Sequence, residues 1–207
     1  MTDSIYDQLN ASGTIAKQRM VETFSGDALD TDRWNLTQVY LGGGTAPMSD
    51  EVDGGCVLTT AGGSDDGVEI DFNNIRQYEP TGSVIIGSVK KGETNSYIDF
   101  GFAGTITGSN TNSAELRMMN SGNFRLLTGS SSGNSTTHSD LAIDLNWHTH
   151  KVECSTPDAK LTIDGVLKIT KTTDLPNQKA QPAMSTWSLT DASAKHGYIN
   201  YCEAYNT

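Results

Sequence analysis

Short apolar segments recur between clusters of Gly, Asn, Asp and Ser from about residue 20 to the end of the chain. The segments are rich in β-branched and aromatic residues, a pattern typical of strands bounded by turns. No alternation of strands with long amphipathic helices is visible, so the pattern indicates an all-β sandwich or barrel. The predicted strands are 21–24, 34–40, 56–60, 67–72, 82–89, 96–103, 114–119, 123–128, 148–154, 160–163, 166–169, 183–189 and 198–205.

Turn chemistry predicts two hairpins and one loop. Residues 119–123 contain the Asn and Gly that positive φ angles require, and Asp164-Gly165 is a two-residue hairpin signal. Both predict antiparallel neighbours. Residues 128–139 are Gly, Ser, Thr and Asn with almost no apolar side chain, and this composition predicts a surface loop.

The first residues differ from the rest of the chain. Ile5, Tyr6 and Leu9 form one apolar side of a predicted two-turn helix, and a polar run follows it. We therefore expect residues 1–20 to be an N-terminal arm that attaches to a partner through these three side chains. Residues 21–207 are expected to form one domain, because this length suits a single all-β core.

Charge and cysteine content exclude several functions. The formal net charge is −11, with no basic cluster larger than Lys90-Lys91, so nucleic acid and anionic membranes are not expected partners. Cys56, Cys154 and Cys202 lack CxxC spacing and are expected to be small buried hydrophobic residues. The first residues show no basic and apolar signal-peptide pattern, and no apolar run approaches the roughly 18 residues of a membrane span.

The order of several motifs resembles the concanavalin A-like lectin/glucanase superfamily, in its laminin-G-like and glycoside hydrolase family 16 variants. Phe24 and Trp34 match the opening of those domains, while Trp147, residues 161–165 and residues 198–205 match the closing strands. The resemblance covers roughly residues 20–207. It implies an antiparallel two-sheet jelly-roll sandwich with Phe24, Trp34 and Trp147 in the core.

Catalytic residues are not expected from this resemblance. Enzymes of the superfamily carry a Glu-x-Asp-x-x-Glu strand, whose two Glu residues act as nucleophile and acid/base. The chain approaches this pattern at Glu69 and Asp71, but Asn74 stands at the acid/base position. An amide cannot donate a proton and take it back. The segment around Asp99 is better placed and has no Glu, so the chain is predicted not to be an enzyme.

Two groups of side chains suggest metal binding without requiring it. His148 and His150 share one face of a strand, either as half of a metal site or as a strand-end pair beside Trp147. Four carboxylates lie close together and could bind calcium or form solvated loop charge, namely Asp65, Asp66, Glu69 and Asp71. We expect no cofactor, with calcium as the alternative.

Sugar binding would need exposed aromatic faces beside hydrogen-bonding groups. With Trp34 and Trp147 assigned to the core, the candidates are Tyr40, Tyr78 and Trp187.

These observations favour a non-catalytic structural or assembly protein, a decoration domain of a virion capsid, turret or fibre that also adheres to glycans. The alternative is a carbohydrate-binding module or lectin. The expected partners are other structural proteins of the assembly, further copies of the chain and surface glycans. The expected location is the surface of a virion or another extracellular assembly, after synthesis in the cytoplasm.

Overall fold

The computed structural model describes residues 19–24, 29–40, 48–52, 55–63, 66–72, 78–104, 112–119, 122–188 and 193–207, with the backbone alone for 37–40 and 48–52. Within these ranges no helix is long and apolar enough to cross a membrane. The proposed arm residues Ile5, Tyr6 and Leu9 lie outside the described ranges.

Fifteen strands make up the regular structure of the described residues. They are β1 (Arg19–Glu22), β2 (Asn35–Tyr40), β3 (Met48–Val52), β4 (Gly55–Thr59), β5 (Asp66–Asp71), β6 (Ser83–Lys91), β7 (Tyr97–Ala103), β8 (Ala114–Met118), β9 (Asn123–Ser130), β10 (Gly133–Ala142), β11 (His148–Cys154), β12 (Ala159–Ile163), β13 (Val166–Lys171), β14 (Gln181–Ser188) and β15 (His196–Asn206).

The strands form two antiparallel sheets. One has the order β13-β12-β11-β6-β15-β4-β3, with β1 added on β15. The other is seven-stranded, in the order β10-β9-β8-β7-β14-β5-β2. The all-β, two-sheet jelly-roll sandwich expected from the sequence is therefore confirmed. Arg19 and Met20 pair with β15, so the described part of the sandwich includes these two residues of the expected arm.

Alternation of side chains along the strands builds the core between the sheets. On β7, Ile98, Phe100 and Phe102 point inward and are almost completely buried. Burial of each such side chain contributes about 1.5–3 kcal/mol. The opening motif behaves as expected, because Phe24 and Trp34 are buried and their rings lie 5.6 Å apart.

The predicted turns and the predicted loop have different outcomes. Asp164 and Gly165 both have positive φ angles, 49° and 79°, and join β12 to β13 as a hairpin. The loop predicted at 128–139 is wrong, because β9 and β10 continue through it and pair with each other. β10 is an edge strand whose positions alternate between half-buried and exposed. Its backbone pairs with β9 although its side chains are mostly polar, so no apolar pattern marks this strand in the sequence.

Trp147 is also placed differently from the expectation. It is 40% exposed and lies on the outer side of the first sheet, where the ammonium of Lys90 is 5.0 Å from its ring centroid. The neighbouring residue His148 points toward the core side, so alternation turns Trp147 outward. The three cysteines are buried and free, as expected.

Candidate active site

Carboxylates from three strands collect on the face of the seven-stranded sheet that points away from the core, called here the site face. Their sequence neighbours, such as Val68, Ile70 and Leu116, lie in the core, so the alternate side chains point the other way. The charged residues on the site face of β5, β7 and β8 are Glu69, Asp71, Asp99, Glu115 and Arg117.

The strand register aligns these side chains in two rows. In the first row, Arg117 pairs with Asp99, and Ser185 of β14 separates Asp99 from Glu69. In the adjacent row, Glu115 is opposite Gly101, whose other neighbour Ala183 is opposite Asp71. Glu69, Asp71, Asp99 and Glu115 therefore share one face of four adjacent strands, and they are called here the acidic cluster.

Asp99 and Arg117 form a two-pronged ion pair. Arg117 Nε donates to Asp99 Oδ1 and Arg117 Nη2 donates to Asp99 Oδ2, both at 2.7 Å. Burial opposes the charge of Arg117, but the neighbouring Asp99 outweighs it and raises the pKa of the guanidinium. Bidentate pairs of this kind are strong and geometrically specific. Both oxygens of Asp99 are thus engaged.

Glu69 is a carboxylic acid held in its neutral form. Its side chain is 6% exposed, and among the described residues its Oε1 atom has no hydrogen-bond partner. Burial raises the pKa of Glu69 to about 10, and the negative charges of Glu115, Asp71 and Asp99 add to the shift. A perturbed carboxyl group among other carboxylates is the electrostatic pattern of a general acid.

Glu115 is the second perturbed carboxyl group. It is 7% exposed, and burial followed by the charge of Asp99 raises its pKa to about 8, while Arg117 opposes the shift. Glu115 therefore loses its proton before Glu69 does. At a pH between the two pKa values, Glu115 is a carboxylate and Glu69 is a protonated acid. Acid/base chemistry requires this combination.

A half-buried tryptophan lies next to the acidic cluster. Trp187 Nε1 donates to Ser185 Oγ at 2.7 Å, and the ring lies over Gly67, where an added Cβ atom would come within 3.1 Å of it. Its register partner on β7 is Tyr97. Of the two aromatic candidates whose side chains the structure describes, Tyr78 and Trp187, it is Trp187 that lies beside the cluster.

Tyr78 lies in the core, and Tyr40 on β2 is described by its backbone alone, which pairs with Gly67. Tyr78 is 1% exposed, and its ring packs 5.4 Å from that of Phe102, so it offers no free face to a sugar. The side chain of Tyr40 and the whole of Asp65 and Asn74 lie outside the described part of the chain.

Of the four acidic residues proposed for calcium, the three that the structure describes do not converge on one point. Asp66 is on the opposite face of β5 from Glu69 and Asp71, and its Oδ2 accepts a hydrogen bond of 2.6 Å from the backbone N–H of Gly63. Among the described residues no group of three or more His, Cys, Asp or Glu side chains is arranged to hold a metal ion.

The histidine pair lies at the N-terminal end of β11. His150 is fully buried, and burial lowers its pKa to about 3. His148 lies between two carboxylates, with Nε2 2.9 Å from Asp144 Oδ1 and Nδ1 2.5 Å from Asp164 Oδ2. This arrangement matches the strand-end alternative, except that Trp147 is exposed.

Sequence reasoning missed Glu115, Arg117 and Ser185 because it searched for catalytic carboxylates along a single strand. The available signal was weaker: β8 carries Glu115 and Arg117 two residues apart, between apolar residues that alternate with them. That spacing places both on one face of a strand, and only the register shows that Asp99 and Glu69 share that face.

Comparison with solved structures identifies the shared fold. A β-glucanase from Bacillus licheniformis is 15% identical with a TM-score of 0.67, over 91% of this chain and 98% of that one. A β-1,3-glucanase from Mycobacterium marinum is 12% identical with a TM-score of 0.64, over 89% and 97%. A pseudo β-1,3-glucanase from Mycobacterium tuberculosis is 11% identical with a TM-score of 0.65, over 91% and 98%. No protein-family model and no curated protein matches the sequence.

These neighbours confirm the concanavalin A-like fold and correct the functional expectation. The interpretation as a non-catalytic virion decoration domain is wrong, because the similar structures are two glucanases and a pseudo-glucanase and the site face carries perturbed carboxyl groups. The expectation that the chain is not an enzyme is wrong for the same reason. At these identities the likeness itself establishes the fold, and the chemistry must be argued from the residues.

Proposed function

We propose that the protein is a carbohydrate-active enzyme that cleaves glycosidic bonds of a β-glucan at the site face. The observation that carries this proposal is the pair of buried, perturbed carboxyl groups of Glu69 and Glu115 in one acidic cluster. Glycosidases use two carboxyl groups, one to protonate the leaving oxygen and one in ionised form. The β-glucan substrate class is taken from two structural neighbours, a β-1,3-glucanase and a β-glucanase.

In this proposal Glu69 is the acid. Its pKa, raised to about 10, keeps a proton available at neutral and mildly alkaline pH. Glu115 ionises first and provides the carboxylate. The negative charge of the cluster also stabilises the positive charge that develops on the sugar ring in an oxocarbenium-like transition state.

Trp187 is proposed to hold a sugar ring beside these carboxyl groups. Its indole N–H is fixed by Ser185, so the ring orientation is set before a ligand arrives. An aromatic face binds the apolar face of a sugar, and neighbouring polar groups bind its hydroxyls.

The experiment is an assay for new reducing ends on β-1,3-glucan and mixed-linkage β-glucan, with the wild type and with Glu69→Gln and Glu115→Gln. We expect hydrolysis by the wild type and a loss of roughly 10²–10⁴-fold in kcat for each variant, the range for general acid–base catalysis. Glu153→Gln is the matched control, because Glu153 lies on β11 of the other sheet, paired with Lys151. Hydrolysis that survives both site substitutions would refute the assignment.

A further inference from the structure

The outer face of the first sheet, which the proposed reaction does not use, carries a row of two aromatic side chains and a lysine. Trp147 directly precedes β11, Lys90 lies on β6 and Tyr198 lies on β15, and these three strands are neighbours in the sheet. The register places Lys90 between the other two. Val89 is in the core, so the adjacent Lys90 and the row that contains it point away from the core.

The ammonium group of Lys90 lies between the two aromatic rings. Its Nζ is 5.0 Å from the ring centroid of Trp147 and 4.7 Å from that of Tyr198. The two ring centroids are 6.4 Å apart and the ring planes meet at 70°, so the rings form a corner beside the cation. An ammonium at these distances is attracted by the electrons of the rings. This attraction fixes the three side chains relative to one another.

Hydrogen bonds hold the segment that carries Trp147. Asp144 Oδ1 accepts a hydrogen bond of 2.8 Å from the backbone N–H of Asn146, and the same oxygen is 2.9 Å from His148 Nε2. The residues on both sides of Trp147 are therefore tied to one carboxylate. A ring that is held in place before a ligand arrives loses little side-chain entropy on binding.

Tyr198 is held from the other end of the row. Its ring stacks on that of His196, with 6.3 Å between the centroids and 25° between the planes. Glu93 contacts the ring Nδ1 of His196, and its Oε2 accepts a hydrogen bond of 2.9 Å from the backbone N–H of the same residue. Trp147, Lys90, Tyr198, His196 and Glu93 are called here the outer aromatic patch.

The size and chemistry of the outer aromatic patch fit a sugar ring better than a protein. Trp147 is 40% exposed and offers this area to a ligand. Two aromatic side chains bury at most about 150–250 Å² each, well below the roughly 800 Å² that each partner contributes to a stable protein interface. A pyranose presents an apolar face of C–H groups with hydroxyl groups at its edge. The indole matches the apolar face, while the ammonium of Lys90 and the carboxylate of Glu93 match the hydroxyls.

We propose that the outer aromatic patch is a second glycan-binding site, at which one sugar ring of a β-glucan packs on Trp147 beside Tyr198 while Lys90 donates hydrogen bonds to its hydroxyl groups. The β-glucan class rests on the proposed function, and binding at the patch requires no catalysis. Because the site face belongs to the other sheet, the patch holds one part of an insoluble polymer while the site face acts on another. Two attachments to the same polymer raise the overall affinity above that of either site.

The test is the depletion of the protein from solution by particles of insoluble β-1,3-glucan. Every protein compared carries Glu69→Gln, so that the polymer is not degraded during the measurement. We expect Trp147→Ala to weaken binding roughly tenfold, the loss of one aromatic contact, and Trp147→Phe, which keeps a flat ring, to retain most of the affinity. Lys90→Met, which keeps the apolar stem and removes the donors, should weaken binding roughly threefold.

Leu145→Ala is the matched control. Leu145 is 43% exposed, close to the value of Trp147, but it has no flat face for a sugar ring. This variant should bind like the parent protein, and thermal unfolding checks that all variants are folded. A loss as large as that of Trp147→Ala would indicate non-specific apolar adhesion and overturn the inference. Undiminished binding by Trp147→Ala would overturn it too, as would sedimentation that shows Trp147 joining two copies of the chain.

The two proposals fail in different ways. Binding that depends on Trp147, in a protein whose wild type hydrolyses neither β-glucan, would support the second site and refute only the proposed hydrolysis. Hydrolysis by the wild type without binding that depends on Trp147 would refute the second site alone.

Discussion

At the scale of single residues, Glu69 lowers the stability of the folded protein at neutral pH, because burial keeps its carboxyl group protonated. Glu69 is ionised in an unfolded chain above pH 4.5, yet its pKa in the folded protein is about 10. A group with a raised folded pKa contributes stability below its unfolded pKa and loses it as pH rises toward the folded value. Such a residue is expected where function, rather than stability, selects the side chain.

The first prediction is that Glu69→Gln stabilises the protein while removing activity. The amide has nearly the same shape and cannot ionise, so it avoids the penalty of keeping a carboxyl neutral between its pKa of 4.5 when unfolded and about 10 when folded. At pH 7 the gain is of order 3 kcal/mol at most, at 1.36 kcal/mol per pH unit above pH 4.5. Urea denaturation at pH 5 and pH 8 checks it. A gain that does not grow with pH would contradict the raised pKa.

The second prediction concerns the pH dependence of hydrolysis. The ionised form of Glu115 accumulates as pH rises through about 8, and the protonated form of Glu69 is lost through about 10. The kcat/KM profile should therefore be bell-shaped with an alkaline optimum between these values. Buffers from pH 5 to 11 and the neutral glucan provide the measurement. An optimum below pH 6 would show that these two groups do not carry the chemistry.

At the scale of strands, the sequence predicted which segments are strands better than it predicted which strands lie side by side in a sheet. The Asp-Gly hairpin between β12 and β13 was predictable because two positive φ angles restrict the residue types locally. The site was not, because Glu69, Asp99 and Glu115 meet only through the order β8-β7-β14-β5. Non-local pairing leaves no local mark in a single sequence. β10 was missed for the related reason that an edge strand needs few apolar residues.

The third prediction concerns His148, which links the segment before β11 to the turn between β12 and β13. His148 contacts Asp144, before β11, and Asp164, in the β12–β13 turn. Partial burial disfavours its charge, but hydrogen bonds to both carboxylates outweigh burial and raise its pKa. This stabilisation is present below the unfolded pKa of about 6.5 and is lost as pH rises through the folded value. His148→Asn should lower the melting temperature more at pH 5.5 than at pH 9. An equal loss at both values would contradict the ion pairs.

The fourth prediction concerns the edge where the two sheets meet. Lys171 of β13 is 5% exposed, and its Nζ donates to Ser135 Oγ at 2.7 Å and Thr137 Oγ1 at 3.3 Å on β10. Lys171→Met keeps the apolar stem and removes these bonds, so we expect a loss of about 1–2 kcal/mol in unfolding free energy. Lys151→Met, on the open outer face of β11, is the control and should change stability by less than about 0.5 kcal/mol. Equal effects would show that the hydroxyl contacts contribute nothing.

At the scale of the whole molecule, the charge of −11 and the acidic cluster act together on any chain that enters the site. Negative potential at a cleft lowers the local concentration of anions and leaves neutral molecules unaffected.

The fifth prediction is that a neutral β-glucan is preferred to its carboxymethylated form, with KM roughly tenfold lower at 10 mM salt. The difference should shrink toward 500 mM salt, because the screening length falls from about 30 Å at 0.01 M to about 3 Å at 1 M. Kinetics on both substrates at both salt concentrations decide the question, and Lys151→Met, remote from the site face, is a control for non-specific charge effects. A preference that does not change with salt would mean that the bulk of the carboxymethyl groups, and not the charge of the protein, excludes the modified chain.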